Sequence, residues 1–144
     1  MEFISAAQAD IDDLFVLYKE SLRYEIEPVY GWDEEFQKQR FHESYKLEWL
    51  YWLVVGGERI GYSCHKTVGS NLHIHLIIIQ EGYRNRGFGS EAVAGIESIA
   101  RRHSIGTITL AAFKSNVGAI RLYERLSFEH SGDEEYFVTM EKRL

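Results

Sequence analysis

The segment Arg84-Asn85-Arg86-Gly87-Phe88-Gly89-Ser90 constrains this chain more than any other, because of what flanks it. Before it runs Leu72 to Ile79, the most strand-like stretch of the sequence, with four isoleucines. After it, Ala92 or Val93, Ile96, Ile99 and Ala100 recur at helical spacing and predict a helix from about Ser90 to His103. A buried strand, a polar glycine-bearing loop from Gln80 to Gly89 and an amphipathic helix form the unit from which α/β folds are built. Glycines at such a junction let the backbone approach an anion, and the free amides and dipole of the first helical turn point donors toward it. Arg84 and Arg86 add positive charge, so the expected ligand is a phosphate or pyrophosphate. A plain strand–helix turn also fits the loop taken alone. A dinucleotide fingerprint fits poorly, since Ala92 stands where a third glycine is needed and Thr107 to Ala111 offers no acidic residue. A P-loop is excluded, because no Gly-Lys-Ser/Thr follows.

The remaining elements follow from periodicity and punctuation. A short strand, Phe3 to Ala6, precedes a helix capped by Asp10 with the stripe Ile11, Leu14, Phe15, Tyr18 and Leu22. Asp12 and Asp13 suit the positive end of its dipole. A loop from Glu25 to Trp32, containing the single proline Pro28, leads to a second helix capped by Asp33, with Phe36, Phe41 and Tyr45 further on. Trp49 to Val55 is aromatic and β-branched, and Gly56-Gly57 turns it into a hairpin with Arg59 to Tyr62. Thr107 to Phe113 reads as a strand and Asn116 to Leu126 as a helix, and two short strands follow near Phe128 and from Tyr136 to Met140. No repeat or linker interrupts the chain, so residues 1–144 are expected to form a single domain. The expected fold class is α/β, a mixed central β-sheet flanked by helices in the order β-α-α-β-β-β-α-β-α-β-β.

Charge narrows the function classes. The net charge is −6, and residues 1–50 hold 12 Asp/Glu against 5 Lys/Arg while the rest is near balance. No basic face dominates, which argues against nucleic acid as a partner. The lone cysteine, Cys64, forms no internal disulfide and fits a reducing compartment, the cytoplasm. No signal-like or membrane-spanning apolar run is present, so no membrane association is expected. Cys64, His65, His73 and His75 lack the spacing of a metal site, because Cys64 and His65 face opposite sides of a strand. No metal is expected.

A second motif joins the glycine loop. The pattern Arg84-x-x-Gly87-x-Gly89 after a strand, followed by Asn116-x-x-Ala119-x-x-x-Tyr123-x-x-x-x-Phe128, resembles the GNAT superfamily of acyl-CoA-dependent N-acyltransferases over essentially the whole chain. The resemblance implies a single GNAT-like N-acetyltransferase domain with acetyl-CoA as co-substrate. It implies that amides from Arg84 through Asn85, Arg86, Gly87, Phe88 and Gly89 to Ser90 cradle the pyrophosphate. Backbone groups at Ile77, Ile78 and Ile79 would pair with the pantetheine arm as an added strand, and Asn116 would hydrogen-bond the same arm. Tyr123 would protonate or hydrogen-bond the leaving thiolate, although spacing alone also suits a core tyrosine. Relatives usually carry Leu-Gly-Phe after this helix, whereas here it is Leu126-Ser127-Phe128. A serine in that left-handed turn costs on the order of 1 kcal/mol if the backbone is unchanged.

Acyl transfer needs a neutral amine. The position that is a strand glutamate in many relatives matches His73 here, and His75 lies two residues on, on the same face. Either is a candidate base, with Glu27, Asp33 or ordered water as substitutes. The segment corresponding to the acceptor wall of relatives supplies Glu27, Tyr30, Trp32 and Asp33, a mixture of rings and carboxylates suited to a cation. Set beside the acidic first third, it makes a small cationic amine or a peptide or protein amine the expected acceptor, acetylated directly in a ternary complex. A coenzyme A-sensing or partner-binding module with the same cleft and no acceptor chemistry is the alternative. Homodimers are common among relatives.

Overall fold

The computed structural model describes residues 1–144. Its elements are β1 (Glu2–Ser5), α1 (Ile11–Tyr30), α2 (Glu34–Ser44), β2 (Leu50–Val55), β3 (Glu58–Val68), β4 (Asn71–Ile79), α3 (Phe88–Arg102), β5 (Thr107–Phe113), α4 (Val117–Arg125), β6 (Glu129–Asp133) and β7 (Phe137–Arg143). The element order expected from the sequence is the order found. The seven strands form one mixed sheet, β1-β2-β3-β4-β5-β7-β6. All neighbours are antiparallel except β4 and β5, which are joined through α3.

Two cores cover the two faces. Leu14, Phe15, Tyr18, Ile26 and Phe41 of α1 and α2 pack on Leu50, Trp52, Tyr62, Leu76 and Ile78. On the other face Val93, Ile96 and Ala100 of α3 and Tyr123 of α4 pack on Leu72, Ile74, Ile108, Leu110 and Met140. Apolar stripes at helical spacing demand such cover, and each buried aliphatic or aromatic side chain contributes about 1.5–3 kcal/mol. No helix is long and apolar enough to cross a membrane.

Strand β4 serves both cores because it carries a bulge. Across β3, Cys64 faces Leu76 and His65 faces Ile74, so His75 is an extra residue. One extra residue switches the buried set from one face to the other. Leu72 and Ile74 accordingly lie in the α3 core, and Leu76 and Ile78 in the α1 core. The parallel ladder with β5 ends at the same place, its last pair being Ile74 and Leu110. Beyond it β4 follows β3 as far as Ile79, and β5 follows β7 as far as Phe113. The sheet therefore opens into a wedge between the two strands.

Among the departures from the sequence expectation, three concern helix ends. The segment from Glu25, expected as a loop, continues α1 to Tyr30 with Pro28 in its last turn, and the Gly31 amide closes that turn on the Glu27 carbonyl. Proline there forfeits a single ladder bond near the helix end, and burial of Ile26 (3% exposed) holds the extension. Asp10 precedes α1 but does not cap it with its side chain. Its carboxylate instead accepts hydrogen bonds from the Ala7 amide at 2.8 Å and the Trp52 Nε1 at 3.0 Å. Helix α3 begins at Phe88 rather than Ser90. The turn after α4 keeps the geometry that glycine favours: Ser127 has φ of +72°, its amide bonds the Glu124 carbonyl, and the Phe128 amide reaches the Tyr123 carbonyl. This paired closure brings the Phe128 ring edge-on to Tyr123 at 5.6 Å, which gives the Tyr-x-x-x-x-Phe spacing a structural reason.

Candidate functional site

The wedge leads to two connected spaces, an outer cleft of about 1510 Å³ and an inner cavity of about 230 Å³, which share Ile77, Asn116 and Ala119 as wall residues. The outer cleft is built on backbone. Gly87 precedes α3 at φ of +82° and Asn85 stands at +61°. These left-handed steps turn consecutive amides to one side, and none of the amides from Asn85 to Ser90 donates a hydrogen bond within the chain. The two glycines differ in purpose. Gly87 is needed for its conformation, whereas a side chain at Gly89 would meet Leu122 of α4 at 3.1 Å. Gly89 thus keeps the two helices close at the mouth of the cleft.

The expected cofactor residues divide between lining and support. Ile77, Ile79, Arg84, Asn85, Gly87, Phe88, Gly89, Ser90 and Asn116 border the outer cleft. Ile78, 2% exposed, borders the inner cavity instead. Arg84 donates through Nε to the Ile79 carbonyl at 2.8 Å and through Nη2 to Ser21 Oγ at 3.2 Å, tying the end of β4 to α1. Arg86 lies over the rings of Tyr83 and Phe88, away from the cleft wall. Asn116 caps α4, its Oδ1 accepting from the Ala119 amide at 3.3 Å, which leaves its amide NH₂ as a donor. Leu122 and Arg125 also border this cleft and were not read from the sequence. Their signal was the three-residue step Asn116, Ala119, Leu122, Arg125 along one side of a short helix.

The inner cavity is built on side chains from many elements. Tyr123, His73, His75 and Tyr30 all line it, together with Arg40 and Tyr45 of the α2 region. Tyr30 reaches across to Tyr136 in the β6–β7 connection, ring to ring at 6.2 Å. Tyr123 is 8% exposed, and burial pushes its phenol up to about 12, so it is fully protonated at neutral pH. His73 and His75 sit edge to face at 4.7 Å. His73 shares a hydrogen bond with Thr109 Oγ1 at 2.8 Å through Nδ1. His75 stacks on Trp49 at 5.6 Å, and its buried Nε2 has no hydrogen-bond partner. Desolvation, then the neighbouring His73 and Lys66, push His75 down to about 4, and desolvation with Lys66 lowers His73 as well. Both rings are neutral at pH 7.

Three residues expected on the acceptor side lie elsewhere. Glu27 borders the outer cleft and pairs with Arg23 at 3.1 Å. Trp32 packs beneath the Arg23 guanidinium at 5.4 Å. Asp33 caps α2 by accepting from the Phe36 amide at 2.9 Å. The extension of α1 through Tyr30 carries Ile26 and Tyr30 to the cavity side and leaves Glu27 on the outer side.

Comparison with known proteins places this architecture. The family model described as "Acetyltransferase (GNAT) family" matches residues 11–128. The spermine/spermidine N(1)-acetyltransferase of Bacillus subtilis is 34% identical over 59 residues, an alignment that spans 40% of this chain and 39% of that protein. The PaiA N-acetyltransferase of Thermoplasma acidophilum, solved in complex with coenzyme A, superposes with a TM-score of 0.80 at 16% identity, over 99% of this chain and 98% of the other. The ribosomal-protein-S18-alanine N-acetyltransferase of Escherichia coli superposes with a TM-score of 0.72 at 16% identity, over 99% and 92% of the two chains. At such identities the structural likeness speaks for the fold, and the family model covers most of the chain. This chain belongs to the acetyltransferase (GNAT) family, the acyl-CoA-dependent N-acyltransferases.

Proposed function

We propose that the protein transfers an acetyl group from acetyl-CoA to a primary amine by direct attack within a ternary complex in the cytoplasm. The observation that carries this reading is the wedge that opens after Ile74 and Leu110, with unpartnered amides on its outer side and a buried phenol beside two neutral imidazoles on its inner side. The fit to acetyl-CoA rests on the left-handed steps at Asn85 and Gly87 and the donor row from Asn85 to Ser90, which suit a pyrophosphate. When bound, the co-substrate supplies an acetyl group activated as a thioester.

The chain's own residues do the rest. The β5-facing edge of β4, from His75 through Ile77 and Ile78, offers backbone groups to an extended arm, with the Asn116 NH₂ as a further donor. Tyr123 keeps its proton at the phenol oxygen and is the donor available to a departing thiolate. The neutral His75 holds a buried Nε2 that has no hydrogen-bond partner in the chain. An amine entering this apolar space is driven toward its neutral, nucleophilic form by desolvation. Its displaced proton leaves through His73, His75 or water.

Calorimetry with acetyl-CoA and a thiol-release assay over varied primary amines test the reading. Binding at tens of micromolar or tighter and amine-dependent thiol release are expected. Failure to bind acetyl-CoA overturns the reading, and binding without release toward any amine supports a sensing module instead.

A further inference from the structure

The charge of the inner cavity contradicts the charge of the surrounding sequence. Residues 1–50 are strongly acidic, yet no carboxylate lines the cavity. Glu25, Glu27, Glu34 and Glu35 border the outer cleft. Several acidic residues there are already paired, Glu34 with Lys19 at 2.6 Å, Glu27 with Arg23 and Asp12 with Lys38 at 3.6 Å. The one charged side chain on the cavity wall is Arg40, which belongs to none of the ion pairs in the protein. Its guanidinium lies 5.8 Å from the centre of the Tyr30 ring, at the solvent-facing rim. A second cation, Lys66, stands behind the histidines with its ammonium 4.1 Å from the centre of the Trp49 ring, the ring on which His75 stacks, and it too is unpaired.

A polycation would bring further positive charge into this space with nothing to pair it, which burial penalises. A ligand with an anionic group meets an unpaired guanidinium whose planar fork matches a carboxylate. The volume of about 230 Å³ lies below the roughly 300–1,000 Å³ of drug-sized sites, so one small molecule fills it. The remaining walls are apolar and aromatic, with Phe113, Phe137 and Ile26 among them.

We infer that the acceptor is a small amine bearing its own carboxylate, an α-amino acid with an apolar or aromatic side chain, and that Arg40 at the cavity rim selects it by pairing with that carboxylate. This rests on the acetyl-transfer reading and specifies its substrate. In this arrangement the carboxylate sits at the rim, the side chain fills the apolar interior and the amine points to the histidines and Tyr123.

The test is thiol release from acetyl-CoA with phenylalanine, phenylalanine amide, phenethylamine and spermidine, on the wild type and on Arg40→Gln. The wild type should show a kcat/KM for phenylalanine at least about fivefold above each of the others, the scale of one partly exposed ion pair. Arg40→Gln should raise KM for phenylalanine by about that factor and leave kcat/KM for the amide within about twofold. Equal or better turnover of the amide, phenethylamine or spermidine overturns the assignment while leaving acetyl transfer standing. So does an Arg40→Gln variant that weakens amide and acid alike, because that is the mark of a structural role. Absence of turnover with all four, acetyl-CoA being bound, overturns the assignment and counts against the acetyl-transfer reading; turnover of other amines in the wider screen then shows that only the assignment has failed.

Discussion

The outer cleft and the inner cavity lie on either side of the same three wall residues and recognise by different means. The outer cleft works through main chain, with amides from Asn85 to Ser90 aimed by two left-handed residues. The inner cavity works through side chains that reach it from α1, α2, β4, β5, α4 and β7. Main-chain recognition tolerates many side chains but few backbone changes. Side-chain recognition is the reverse.

The comparison can be broken most severely at Tyr123. Tyr123→Phe deletes one oxygen in the inner cavity, and turnover should fall about a hundredfold, the lower end for loss of a positioned proton donor. The acetyl-CoA dissociation constant from calorimetry should stay within about twofold; a matching loss of binding would show that the two regions are not separable. The next effect is on stability. His75 in the cavity and His65 on the opposite face are both pushed down to about 4 by burial. The unfolded chain therefore binds more protons than the folded one, and stability is lost as pH falls from about 6.5 toward 4. For His65, 6% exposed, the loss by pH 5 is on the order of 2 kcal/mol, readable as a lower urea midpoint. His75→Gln should remove only its own share of that slope and His65→Gln the other.

Gly87→Ala probes the backbone side. Holding alanine at φ of +82° costs about 1–2 kcal/mol, so acetyl-CoA should bind about tenfold more weakly by calorimetry. Arg86→Ala changes a side chain alone and should shift binding less than that. The smallest effect is expected at Ser127, in the turn that ends α4. Ser127→Gly relieves φ of +72° and should raise stability by about 0.5–1 kcal/mol in urea unfolding, with kcat unchanged. A changed kcat would mean that this turn tunes the position of Tyr123.

Legibility followed the same division. Gly87, Gly89 and the step from Asn116 to Phe128 stood out in the sequence because a turn, a close helix approach and a paired helix closure each demand a residue type at a fixed distance along the chain. The bulge at His75 left no comparable mark, since it exists only in the register with β3. The end of α1 departs from the sequence expectation because Pro28 reads locally as a breaker, while the burial of Ile26 that sustains the helix is a tertiary contact. No local pattern marks Arg40, which stands on a helix whose apolar residues are few.

The chain alone thus determined its element order, its mixed α/β sheet and the glycine-bearing strand–helix junction after β4, all of which depend on short-range periodicity and turn chemistry. Tertiary structure alone decided where β4 and β5 part, which face each half of β4 buries, and that the acidic first third turns its carboxylates away from the inner cavity. Those outcomes depend on which residues of distant elements meet, and net charge along a sequence carries no information about the direction in which each side chain points.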